Sequence, residues 1–144
     1  MPFILLQSLA AAFLTLNLTI GYGVAPVLFS HLSAQVAGTI MAVLLSATYW
    51  VDGVVLLIML VLIRKGFCLK RESLLMISLG AVGLNLAWIS PIMAEIKQLT
   101  VDAPMVMGMG FAAWHGISQM LFLIAWVSVL AWMSLSYMRY VRKK

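Results

Sequence analysis

The sequence predicts an all-α polytopic membrane protein, a bundle of four transmembrane helices with both termini cytoplasmic. Three observations carry this. Of 144 residues, 65% are hydrophobic and only 9% charged, against about 25% charged in a soluble domain, and the mean hydropathy is +1.12. Four apolar runs, at 3–30, 37–63, 74–93 and 111–138, each reach the ~20 residues of helix that cross a bilayer. The basic residues gather at one end of these runs. Arg64, Lys65, Lys70 and Arg71 follow the second, and Arg139, Arg142, Lys143 and Lys144 follow the fourth. By the positive-inside bias these segments are cytoplasmic, which fits a bacterial inner membrane. A chain so poor in polar surface has no shell for a soluble enzyme. Its +5 charge sits in two short clusters, so no nucleic-acid partner is expected.

The whole of 1–144 reads as one membrane domain. Helix is the state of every run, because lipid supplies no partner for bare backbone and four runs without strict alternation do not close a barrel. The first run lacks a positive n-region and is too long for a signal peptide, so it is read as a retained span. It carries Thr15, Thr19, Tyr22 and Pro26 near one face, with Asn17 more than 100° away from Tyr22. His31 closes it, and Ser33 is placed to cap the second span. Cys68, the single cysteine, makes no intrachain disulfide. Ser73 is placed to cap the third span, whose helix is expected to continue through 94–99 until Asp102-Ala103-Pro104 breaks it. Tyr137, Tyr140 and Trp114 sit where rings favour the membrane interface. A weak parallel repeat pairs Tyr22…Pro26 at the end of span one with Trp88…Pro91 at the end of span three.

Asp52 is the only acid inside a predicted span. A carboxylate there costs roughly 2.5–3.5 kcal/mol on insertion scales, and its default reading is functional, with a partner. At 1.5 Å per residue, Asp52 and Asn85 both lie roughly 16 Å from the inner ends of their spans, so they can hydrogen-bond if their faces meet. No Lys or Arg shares that level, and burial disfavours the ionised form. Two readings stay open: a carboxylate that carries a proton or cation, and a neutral Asp bonded to Asn85 and to Thr48 one turn away. His115, Ser118 and Gln119 share a face of span four at i, i+3 and i+4, expected to face the bundle or a cavity rather than lipid.

His31 and His115 both fall on the outer side. With Met105, Met107 and Met109 of the outer loop they make a candidate soft-metal site, because thioethers and imidazoles suit copper. Haem ligation by His31 or His115 is the other cofactor reading. The alternating methionines are equally apolar filler in a chain with eleven Met. No P-loop, HExxH, CxxC or GxSxG motif occurs, so a conventional hydrolase or kinase is not expected.

Ala25-Pro26-Val27-Leu28-Phe29 with His31, Leu84-Asn85-Leu86-Ala87-Trp88 leading to Pro91, and His115-Gly116-Ile117-Ser118 carry a family resemblance. The chain resembles bacterial four-span membrane proteins of domain-of-unknown-function family 4149, a group similar to transmembrane protein 205. The basic residue usual after the second proline is replaced by Ile92-Met93. The resemblance implies a four-helix membrane bundle and little chemistry. Three functions are therefore carried forward. The first is handling of a small solute, cation or soft metal along a polar path through Asp52, Asn85, His115 and Ser118. The second is an accessory or scaffold subunit of a larger membrane complex, or a homo-oligomer. The third is a haem- or metal-binding redox protein. The lipid bilayer is the partner common to all three.

Overall fold

The computed structural model describes residues 2–63, 69–98 and 105–142. Four helical spans, Phe3–His31, Ala34–Leu62, Arg71–Gln98 and Phe111–Val141, are long and apolar enough to cross a membrane. The first consists of α1 (Pro2–Leu18), a π-turn (Thr19–Val24) and α2 (Ala25–His31). The second is α3 (Ala34–Leu62). The third is α4 (Leu69–Leu84), a second π-turn (Asn85–Ile89) and α5 (Ser90–Gln98), and the fourth is α6 (Phe111–Val141).

The spans run past the boundaries that hydropathy predicts. Ser33 caps α3 as expected, its hydroxyl accepting from Val36 N–H at 3.5 Å, and this starts the helix at Ala34 rather than at residue 37. Ser73 is not a cap. The third span is already helical from Leu69, so Ser73 lies inside α4. The helix tolerates polar residues at this end because Arg71 and Glu72 pair with each other, Arg71 Nε donating to both Glu72 oxygens at 2.9 and 3.0 Å. At its other end the span reaches Gln98. The expected break at Asp102-Ala103-Pro104 lies outside the described residues, as do 64–68 and the last two lysines.

Both π-turns have one cause. Pro26 and Pro91 offer no N–H, and each ring crowds the carbonyl four residues back, that of Tyr22 or Ala87. The helix answers by widening one turn. Ala25 N–H donates to Ile20 O and Ser90 N–H to Asn85 O, both i→i−5, the pattern of a π-bulge. The sequence repeat thus has a structural counterpart at the same place in the two odd spans.

The spans pack as a closed ring in chain order, with the third and fourth making the most extensive seam and the first closing on the fourth. Phe3 stacks on Tyr140 with centroids 4.1 Å apart. Gln7 Nε2 donates to Met133 O at 3.3 Å, and Trp126 Nε1 to Leu14 O at 3.4 Å. A long apolar core of Phe13, Leu56, Met59, Leu75, Val129 and Trp132 fills the interior. A smaller core of Ile89, Ile92, Ile96 and Trp114 fills the end away from the basic residues. Ile4, Val43, Trp50, Val54 and Val61 are among many large apolar side chains left on the outside. An apolar outside, with the few polar groups turned inward among the core side chains, is the arrangement lipid rewards.

The methionine segment is a hairpin rather than an open loop. β1 (Met105–Val106) pairs antiparallel with β2 (Met109–Gly110). The two turn residues, Met107 at φ 54° and Gly108 at φ 75°, both take the positive φ of a type I′ turn. Trp114 Nε1 donates to Val106 O at 3.1 Å and ties the hairpin to the start of α6.

Candidate functional site

A buried polar column receives a side chain from every span. On α1, Ala10, Phe13, Leu14 and Asn17 are all buried, one face at i, i+3, i+4 and i+7, and this face aims Asn17 at α3. There Asp52 is 1% exposed. Asn17 Nδ2 reaches both its oxygens, at 3.1 and 3.0 Å, and also donates to Phe13 O at 2.8 Å. An amide nitrogen carries two hydrogens. One is therefore spent on the backbone, and a single hydrogen is shared across the carboxyl group.

One turn along α3, Tyr49 is buried and lies beside the Ser118 side chain. Ser118 in turn offers its backbone carbonyl to Asn85 Nδ2 at 3.2 Å. The order is Asn17–Asp52, then Tyr49, then Ser118–Asn85. Within each sequential pair of spans, an asparagine on the odd helix donates to a polar group on the even one. Asn85 opens the second π-turn, so the proline-driven widening sets the direction of its side chain.

Several expected site residues lie elsewhere. Asp52 and Asn85 do not bond to each other, because Asn17 and Ser118 hold them. Thr48 is buried but turns its hydroxyl back to Leu44 O at 2.8 Å, the usual recourse of a helical threonine. Ser118 points inward as expected. His115 and Gln119 are exposed, because i and i+4 flank the buried stripe that Trp114 and Ser118 occupy. They bond to each other at 3.2 Å, and His115 stacks on Phe111 with centroids 5.9 Å apart. The other face of the story at this end is Lys97, whose Nζ donates to Gly38 O at 3.2 Å and lies 5.1 Å from the Phe111 ring centre.

His31 is exposed at the end of α2. Among the described residues no hydrogen bond or ring contact joins it to His115, and no group of three or more His, Cys, Asp or Glu could hold a metal. Met105 and Met107 are 63% and 69% exposed. Met109 packs on the Ile89–Trp114 cluster. Two functional candidates were missed. Asn17 was legible as part of the Ala10–Phe13–Leu14 stripe. Glu72, 0% exposed, was hidden by a span boundary drawn from hydropathy at residue 74.

Residues 8–101 match the model of a family described as a domain of unknown function (DUF4149). No curated protein and no solved structure matches the chain.

Proposed function

The chain belongs to the DUF4149 family, and from that premise we propose that it is an inner-membrane protein, both termini cytoplasmic, that passes protons through its polar column, with Asp52 as the group that changes charge. The observation that carries this is the donor count at Asp52. An ionised carboxylate has about four acceptor sites, and here one shared amide hydrogen meets them in a site 1% exposed. A carboxyl group placed so deep is a functional candidate by default, and any proton it gives up needs an acceptor within the column. Tyr49 and Ser118 continue the column toward the end away from the basic residues. The test is proton flux into proteoliposomes under a potassium diffusion potential, read with an internal pH dye. Asp52→Asn is expected to abolish the protein-dependent flux; a variant as fast as the parent ends this reading. Reporter fusions after Lys144 are expected on the cytoplasmic side, with Met107→Cys labelled from the opposite side.

A second reading, an accessory subunit of a larger membrane complex, rests on a different observation. Thr15, Thr19 and Tyr22 are exposed along the first span. Beside them runs a groove of about 260 Å³ lined by Leu18, Tyr22, Phe122, Leu123 and Trp126. Hydroxyls facing hydrocarbon favour a neighbouring helix that can bond them. This reading expects a larger assembly in mild detergent that Tyr22→Phe with Thr19→Val dissociates.

A further inference from the structure

Five methionines are exposed among the described residues: Met76, Met105, Met107, Met120 and Met138. Met76, Met120 and Met138 sit on the apolar spans, where the outside is lipid. Met105 and Met107, 63% and 69% exposed, lie between the third and fourth spans, where water reaches them. Met107 also holds φ at 54°, a left-handed conformation that Asn or Gly adopts with less strain. Elsewhere in this chain, packing or lipid accounts for a methionine. At 107 neither does: the turn favours another residue, and the side chain is mostly exposed outside the spans. A costly backbone kept at such a position points to the chemistry of the side chain. For methionine that chemistry is an oxidisable thioether.

Met109 connects this pair to the bundle. It is partly buried against the cluster of Ile89, Ile92, Ile96 and Trp114. Across the hairpin it pairs with Val106, the residue whose carbonyl receives the Trp114 indole at 3.1 Å.

We propose that the hairpin is a reversible methionine-oxidation site with peroxides as its oxidant class: Met105 and Met107 are the reactive thioethers, and oxidation carried on to Met109 unfastens the hairpin from Trp114. Each event forms one S–O bond. The thioether sulfur gives up two electrons, the O–O bond of hydrogen peroxide breaks, and the second oxygen leaves as water. In the reverse step two thiols become a disulfide, and the sulfoxide oxygen leaves as water. A sulfoxide at 105 or 107 is solvated and leaves the fold unchanged. At 109 it sets a polar oxygen against an apolar cluster, where an unbonded polar group is costly. The hairpin therefore answers to oxidant dose, the water-facing thioethers first and the packed one last. None of this depends on the proton reading of Asp52.

The test treats the full chain in lipid nanodiscs with graded hydrogen peroxide and reads each methionine by peptide mass spectrometry. Met105 and Met107 are expected to gain oxygen at least tenfold faster than Met120, which is nearly as exposed, at 59%, but lies on a span. Equal rates overturn the site. The nitrogen-15 indole signal of Trp114 reports the fastening. It is expected to hold while only Met105 and Met107 are oxidised, and its hydrogen to exchange at least tenfold faster once Met109 is. Met109→Leu keeps an apolar side chain without the thioether and is expected to leave that signal unmoved by peroxide. Met109 left unoxidised, a Trp114 signal unmoved by its oxidation, or one moved equally in Met109→Leu overturns the unfastening. The two methionine sulfoxide reductases, one for each epimer, supplied with a dithiol, are expected to restore the parent's mass and its Trp114 signal. Sulfoxides that persist overturn the reversibility.

Discussion

Asp52 and Asn17 are joined by hydrogen bonds across the first two spans, and the worth of that pair can be bounded. Hydrogen bonds between membrane helices average about 0.6 kcal/mol and reach about 1.7, because the unfolded chain in lipid also finds partners. Asn17→Ala is therefore expected to cost about 1 kcal/mol, and the double-mutant cycle with Asp52→Ala to give a coupling in that range, measured by reversible unfolding in mixed micelles. Asp52→Asn keeps the acceptor oxygen and is expected to fold within about 1 kcal/mol of the parent. A coupling near zero would mean that the pair is geometric coincidence. Asp52 was readable from sequence because a carboxylate inside an apolar run is costly enough to stand out before any partner is known. Its partner was not, since the polar face of the first span was anchored on Thr15, Thr19 and Tyr22, which the structure turns outward. His115 misled for the reverse reason. A three-and-four spacing says which residues share a face, while only packing says which way that face looks.

At the level of elements, the prolines decide where the side chains point. Pro91→Ala restores a backbone donor and lets the second π-turn tighten to regular helix. Removing the extra residue from that turn rotates everything beyond it by about 100° relative to α4. The variant is expected to remain folded, to lose the edge-on Trp88–Trp114 contact at 6.3 Å, and to pass protons at least tenfold more slowly. Near-ultraviolet circular dichroism reads the first effect, and the dye assay the second. An unaltered tryptophan signal would show that the bulge is held by packing rather than by the proline. The hairpin offers a separate test. Met107 occupies a positive-φ position that Asn or Gly adopts with less strain. Met107→Asn is expected to stabilise the hairpin by roughly 0.5–1 kcal/mol, seen as slower amide exchange at Met109. The prolines themselves stand out in the sequence, but an apolar span with a proline reads equally as a kink. The hairpin was invisible because its strands are two residues each and carry no periodicity.

For the molecule as a whole, four runs of apolar residues announced four spans, and composition alone placed them in lipid. The ends were less readable, since caps and the Arg71–Glu72 pair extend helices into sequence that hydropathy scores as loop. What holds the ring shut is a set of contacts between the first and last spans. Phe3→Ala should cost about 0.5–1.5 kcal/mol beyond lost area, as expected for a stacked pair, and Tyr140→Ala added to it should cost little more; additive losses would show that the rings act independently. The paired asparagines carry a consequence for assembly. Each half of the chain, 1–63 and 69–144, holds its own asparagine-to-partner bond within one helical hairpin, so each hairpin is internally stapled before it meets the other. Two such fragments, co-expressed as separate polypeptides, should therefore insert independently and reconstitute the intact assembly by complementation.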